Sequence, residues 1–346
     1  MKFGLLMPFW NPVRWERPFP TLYQDLLDQI VRIEELGYDN IWLTEHHFDD
    51  DGWSPALLPL AAGIATRTTR IRIGTFILVL PFQHALRVAE DAITVDILSN
   101  GRFDLGVGKG YRNKEFDAFG FPREQRDARL EEDLEVIRGL WTNEAFSFDG
   151  DYYHLKEARL TPRPVQQPHP PIWIGARGKK AVERAARMGF HLMGTGEVAQ
   201  QRAYDDELRR CGRNPEDFSL AQLRWVYVAE SREKAWDEVG EHMHYLFASA
   251  FPLLKAAGDL RADRAMSQVP SIEELRNIDP TIPGGAPIVG TPDDCIQAIQ
   301  RYQDETRVTH LAMGMHLPGL ALEKVTRCLE LFATEVMPHF DSGVNG

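Results

Sequence analysis

A chain of 346 residues that is 43% hydrophobic and 26% charged has ample apolar material for a well-filled core, in one large domain or two ordinary ones. Its 39 basic against 51 acidic side chains, a net charge of −12, argue against nucleic acid or an anionic membrane as partner, because both require basic patches. The 3 cysteines, Cys211, Cys295 and Cys328, stand far apart without CxxC spacing, which excludes a disulfide framework and fits reduced thiols.

The opening MKFGLLMPFWNP carries one lysine and too short an apolar run for a secretory signal, and no segment has the length of a membrane span. A cytoplasmic location is therefore expected. Residues 3–7 form the first strand-like run. A helix over 22–36 follows, with Thr21 and Gln24 as a capping box and Gly37 as its stop. Strand 41–44 leads into Glu45-His46-His47, and Ser54-Pro55 opens another helix. A long apolar run at 71–80, a helix over 84–99 and a strand at 103–108 come next, then a polar loop and a helix over 125–141.

FSFDGDYYHL reads as a hairpin around Asp149-Gly150, and the proline-rich TPRPVQQPHPP leads to strand 172–175. Helix 179–188, strand 191–193, helix 198–210, strand 220–229 and helix 232–248 follow. Residues 249–290 read as irregular, and helix 292–304, strand 309–313 and helix 320–336 close the pattern. Strands alternating with helices imply a parallel sheet, and eight such units favour a closed (β/α)₈ TIM barrel. A doubly wound open sheet needs a glycine-rich first turn, whereas here the first strand runs into PFWNPVRWERP. One domain over 1–346 is expected, with an insertion at 249–290.

In such a barrel the active site lies on the loops after the strands. Phe9 and Trp10 follow the first strand, His46 the second, Gly108, Lys109 and Tyr111 the fourth. Gly175, Ala176, Arg177, Gly178 and Lys179 follow the fifth, and Gly194 the sixth. Adjacent strand residues face opposite ways, so His46 and His47 cannot share one metal unless the chain turns between them. No HExxH spacing is present and Asp49–Asp51 lack a calcium-loop pattern, so no metal is expected and the aspartates read as a solvated loop tip. One histidine at a strand end suits proton transfer, though packing beside Trp42 and Phe48 would also explain it.

IGARGKKAVERAARMG looks like a phosphate site. Gly178 permits close backbone approach, a helix starts at Lys179 or Lys180, and Arg177 with two lysines adds positive charge where the helix dipole disfavours it. GVGKG at 106–110 superficially resembles a dinucleotide fingerprint, but KGYRNKEFDAFG reads as a loop, and the glycines better suit a flat ligand over the barrel mouth.

Together MKFGLLMPF, ELGYDNIWLTEHHF, IGTFILVLP, AEDAITVDILSNGRFDLGVGKGYRNKEFDAFG, PPIWIGARG, VGTPDDCIQAIQ and ELFATEVMP resemble the bacterial luciferase-like flavin-dependent monooxygenases. The resemblance covers nearly the whole chain except parts of 240–285. It implies a (β/α)₈ barrel that pairs as a homodimer. It also implies reduced FMN from a separate flavin reductase, and O₂ that forms a C4a-peroxyflavin to oxygenate a substrate. It assigns the catalytic histidine to His46, and Thr75, Phe76 and Ile77 to the flavin ring, where a non-proline cis peptide often occurs.

Three departures stand out: Gly108 replaces a reactive cysteine, Lys109 a phosphate-binding arginine, and Gly178 a frequent serine. They argue against luciferase activity on long-chain aldehydes but leave flavin binding in place. Phe9, Trp10, Phe76 and Trp225 are candidates for an apolar pocket, and 249–290 for a mobile lid that excludes water. The expectation is thus an FMN-dependent monooxygenase acting on a small, largely apolar substrate. A deazaflavin-dependent hydride-transfer enzyme and a flavin-binding protein without turnover are the alternatives.

Overall fold

The computed structural model describes residues 1–194, 197–256, 269–279 and 286–340. Its strands are β1 (Lys2–Met7), β2 (Asn40–Leu43), β3 (Arg72–Thr75), β4 (Leu78–Val79), β5 (Phe103–Gly108), β6 (Phe146–Asp149), β7 (His154–Ala158), β8 (Ile172–Gly175), β9 (His191–Gly194), β10 (Leu220–Val228), β11 (Ile288–Gly290) and β12 (His310–Gly314). Ten of these form one sheet. Eight close on themselves in parallel, in the order β1, β2, β3, β5, β8, β9, β10, β12 and back to β1. This is the expected (β/α)₈ barrel. β4 extends β3 along β5, β11 pairs with the far end of β10, and β6 and β7 make the antiparallel hairpin apart from the barrel.

The helices are α1 (Phe19–Glu35), α2 (Leu57–Ala65), α3 (Ala85–Leu98), α4 (Asn113–Phe119), α5 (Arg126–Thr142), α6 (Lys179–Met188), α7 (Val198–Arg210), α8 (Arg232–Ala256), α9 (Ile272–Asn277), α10 (Pro292–Glu305) and α11 (Leu322–Glu335). They bury one face each against the outside of the barrel, in a continuous layer that runs through Ile30, Ile64, Ile137, Val182, Ile299 and Phe332. Inside the barrel a second cluster holds Leu6, Trp42, Trp173, Met193, Ala221 and Ala312. Large rings fit there because glycines face them. A Cβ on Gly74 would lie 2.2 Å from the Trp42 ring, and one on Gly314 2.1 Å from the Trp225 ring.

The structure corrects the sequence expectations at several places. α1 starts at Phe19 after Pro18, so Thr21 and Gln24 lie inside it and form no capping box; the prolines at 18 and 20 set the entry instead. α2 starts at Leu57, with Ser54 and Pro55 outside. The stretch after Lys109 is not all loop: α4 occupies Asn113–Phe119 and ends on Gly120 in the left-handed region at φ 73°. Residues 249–290 are not irregular throughout either. α8 continues to Ala256, α9 carries a Ser271/Glu274 capping box, and β11 ends the stretch. Residues 257–268 and 280–285 of the expected lid lie outside the described residues. No helix among the described residues is long and apolar enough to cross a membrane.

Candidate active site

Strand β2 ends at Leu43, and the next four residues supply one glutamate and two histidines, which form two glutamate–histidine pairs with Glu115 of α4 as the second glutamate. Glu45 is fully buried; its Oε1 lies 2.5 Å from His47 Nε2 and its Oε2 accepts the Val79 N–H at 2.8 Å. Glu45 therefore ties the end of β2 to β4. Burial raises its pKa, a shift only partly opposed by the hydrogen bond to His47.

His46 points the other way. Its Nδ1 lies 3.4 Å from Glu115 Oε1, and its ring meets the Trp53 and Tyr111 rings edge to face at 4.7 and 5.9 Å. Glu115 also accepts the His47 N–H at 3.0 Å. Burial lowers the His46 pKa against a smaller upward pull from Glu115, so the ring is neutral near pH 7. Burial alone would raise Glu115, but its bonds to His46 and the His47 N–H, with the Arg112 charge nearby, hold it below the usual carboxylate range. A carboxylate facing Nδ1 places the ring proton there and leaves Nε2 as a bare acceptor.

Glu115 is the candidate site residue that the sequence reading missed. It lies on α4, in the stretch read as loop. The signals that mark this helix are Phe116 and Phe119 three apart and Gly120 just beyond. Asp49 and Asp51, expected to be solvated, are engaged. Asp49 pairs with Arg112 and Lys114, and Asp51 Oδ1 accepts from the Tyr245 hydroxyl at 2.7 Å, which ties the loop to α8. Among the described residues no cluster of histidine, cysteine and carboxylates could hold a metal ion.

The residues assigned to the flavin ring end β3 and join it to β4. The Phe76–Ile77 peptide is cis, in the segment where the resemblance led one to expect it. Ile77 lies over bare strand ends: a Cβ on Gly108 would come 2.2 Å from its Cδ1, and one on Gly175 2.9 Å from its Cγ2. Thr75 is wholly buried, and its hydroxyl donates to Gly106 O at 2.6 Å and accepts the Gly106 N–H at 2.9 Å. It splices β3 to β5 and presents no free hydroxyl to a ligand. Tyr111 is partly exposed beside His46, with the Arg112 guanidinium 5.8 Å from its ring.

The basic rim is built from β5, β8 and their helices. Lys109 Nζ lies 2.8 Å from Asp127 Oδ1, and Arg184 Nη1 lies 2.5 Å from the same oxygen. Burial would raise the Asp127 pKa, but these two cations hold it low. Ala176 is buried and donates its N–H to Met193 O at 3.0 Å, while Arg177 and Lys179 are exposed. Gly178, at φ 84°, opens α6 and donates its own N–H to Gln200 Oε1 at 3.0 Å. The following N–H groups of α6 face outward, the standard cradle for an anion. Gly194 ends β9 on the same rim.

The four apolar-pocket candidates are not brought into one wall: Phe76 packs on Trp42 at 5.9 Å. Trp225 stacks on Trp10 at 6.0 Å, and Trp10 meets Trp53 at 4.2 Å, so these rings continue the aromatic surface from His46. Phe9 turns outward, packs on Tyr23 at 4.9 Å and, with Trp10, lines a separate cavity of about 390 Å³ between β1, α1 and the loop after β12.

The sequence model of the luciferase-like monooxygenases matches residues 1–309. The chain is similar to the oxygenase component of flavin-dependent trigonelline monooxygenase from Acinetobacter baylyi, at 26% identity over 98% of this chain and 96% of that protein. It is 30% identical to an F420-dependent glucose-6-phosphate dehydrogenase from Amycolatopsis mediterranei, over 91% of this chain and 94% of that one. Among solved structures, monooxygenase RslO1 from Streptomyces bottropensis superposes with a TM-score of 0.83 at 26% identity, covering 98% of this chain and 100% of that one.

Proposed function

We propose that this chain, which belongs to the luciferase-like monooxygenase family, is the oxygenase of a two-component system. It would take reduced FMN from a separate flavin reductase, use O₂ on a small, largely apolar substrate, and work as a cytoplasmic homodimer. The observation that carries the reading is the mouth itself, where a neutral His46 faces the aromatic rings of Trp53 and Tyr111, beside strand ends stripped to glycine. The residues present fit a flavin. Ile77 over Gly108 and Gly175, with Phe76 next to it in the chain, would offer an apolar bed, and Lys109, Arg177, Lys179 and the backbone N–H groups that follow Gly178 would hold its phosphate at the start of α6.

Reduced FMN supplies the electrons that activate O₂. The chain's own residues would do the rest. Glu115 holds the Nδ1 proton of His46, so His46 Nε2 can accept a proton from the reacting group and return it. Glu45 and His47 fix the loop so that the ring stays aimed at the mouth. Trp10, Trp53 and Trp225 keep the neighbouring surface apolar and exclude water.

The F420-dependent relative supports a second reading, hydride transfer through a deazaflavin in the same place and without oxygen. One experiment separates them: the purified chain is mixed with photoreduced FMN or with reduced F420, then with air-saturated buffer, in a stopped-flow spectrometer. The first reading expects tight binding of reduced FMN and a reoxidation time course distinct from that of free flavin. Reoxidation indistinguishable from free FMN, together with tight binding of reduced F420, would replace it by the second.

A further inference from the structure

His46 has charged neighbours as well as aromatic ones. Glu115 on α4 faces its Nδ1 at 3.4 Å, and Asp49, in the same loop as His46, acts on the ring through space. Each carboxylate favours a proton on the ring. A histidine flanked by two anions tends to become an imidazolium near neutral pH, which donates from both nitrogens and accepts at neither. Burial opposes this most strongly, and the Arg112 guanidinium acts on the same side as burial.

Arg112 touches both anions. It holds the N-cap position of α4, its side chain is 4% exposed, and its Nη1 pairs with Asp49 Oδ2. The same Nη1 stands 3.9 Å from Glu115 Oε1, the oxygen that faces His46 and accepts the His47 N–H. Lys114 also meets Asp49 and donates to Phe48 O at 3.1 Å, but its side chain is 47% exposed and water screens its charge. Glu45 and His47 form their own pair, and the other neighbours of His46 are the rings of Trp53 and Tyr111. The two carboxylates that act on His46 are thus met by two cations, and only the Arg112 charge is buried with them.

We propose that Arg112 is a positioning residue for His46: its buried charge offsets Glu115 and Asp49, so that Glu115 can hold the Nδ1 proton without the ring taking up a second one at Nε2. The role rests on the reading of His46 as a proton acceptor and says what keeps it one. It is a role for charge, not for the shape of the guanidinium. Without that charge the two carboxylates outweigh Lys114, and the ring becomes a cation that can give a proton but not take one.

His46 can be titrated directly in the full chain without flavin, so the outcome is independent of which cofactor the mouth takes. NMR of histidines labelled with ¹³C at Cε1 follows each ring over the pH range in which the chain is folded, and His46→Gln identifies the signal of position 46. Arg112→Gln should move the His46 midpoint to higher pH by about one unit, the size expected for one buried charge removed within two contacts of the ring. Arg112→Lys, which keeps the charge but not the fork, should restore most of the parent midpoint. Asp49→Asn should move it to lower pH, and Asp49→Asn combined with Arg112→Gln should bring it back toward the parent. Should Arg112→Gln alone fail to fold, the double variant compared with Asp49→Asn reads the same charge, and the double variant must titrate at the higher pH. A midpoint that loss of the Arg112 charge leaves in place or lowers, or that Arg112→Lys moves as far as Arg112→Gln, would overturn the proposal and leave Arg112 a clasp between the loop and α4. Absence of flavin reoxidation, by contrast, would overturn the oxygenase reading and leave these midpoints as they are.

Discussion

Two adjacent histidines, each facing a glutamate, have been given opposite tasks by their surroundings. The His47 side chain is 9% exposed, Glu45 is not exposed at all, and 2.5 Å separates them; Glu45 spends its second oxygen on the backbone of β4. The His46 side chain keeps 16% exposure, stands 3.4 Å from Glu115, and has aromatic rings rather than backbone around it. The first pair is a brace, satisfied within the protein. The second is only half satisfied, with Nε2 free for a ligand proton. Burial alone therefore does not separate the two histidines; the unfilled half of one ring's hydrogen-bonding capacity does.

Substitutions should separate the pairs. His46→Ala is expected to lower product formation about a thousandfold, within the usual range for a general base, with urea midpoint and flavin affinity unchanged. Loss of folding instead would make His46 a second brace.

Acid should report the scaffold rather than the site. His191, His310 and His316 are held neutral by burial, at about 4, 3 and 4, whereas each protonates near 6.5 when unfolded. Their folded values are depressed, so the unfolded chain binds more protons as pH falls below 6.5, and stability is lost on acidification. From pH 7.5 to 5 the loss is about 2 kcal/mol per histidine. Asp133, raised by burial to about 7, works the other way and offsets roughly one histidine over the same window. Urea melts at the two pH values should show a net drop of about 4 kcal/mol.

Glu45→Ala strands both the Val79 N–H and His47, and should cost about 3 kcal/mol of stability in the same melts. Glu115→Gln should cost about tenfold in rate with little change in stability. Because Glu115 pulls the His46 pKa upward, its loss lets that pKa fall further, so the acid limb of the rate profile moves to lower pH. An unmoved limb would show that Glu115 does not set the proton on His46.

The barrel was legible because its signal is repeated: alternation of apolar runs and helical spacing recovered Phe103–Gly108, Ile172–Gly175, Lys179–Met188 and Val198–Arg210 to the residue. His46 was legible because it ends a strand. Glu115 was not, because α4 is only two turns long and its polar stretch resembles a loop until Phe116 packs against Phe82 at 4.8 Å. Asp49 and Asp51 looked solvated because their partners, Arg112, Lys114 and Tyr245, lie far along the chain. The separation of Phe9 from Trp225 could not be read either, since φ 53° at Phe9 turns that side chain outward from the strand end.

Asp127 and Glu131 face three cations, Lys109, Arg126 and Arg184, so a surplus positive charge sits on the rim of a chain whose total is −12. A phosphorylated ligand thus meets repulsion from afar and attraction on arrival. With a Debye length of about 10 Å at 0.1 M salt, added ions mute the distant field before they weaken the contact. The capture rate of such a ligand should therefore climb with ionic strength, pass through a maximum, and decline. This profile is unlike the steady fall shown by proteins that steer anions with an overall positive surface.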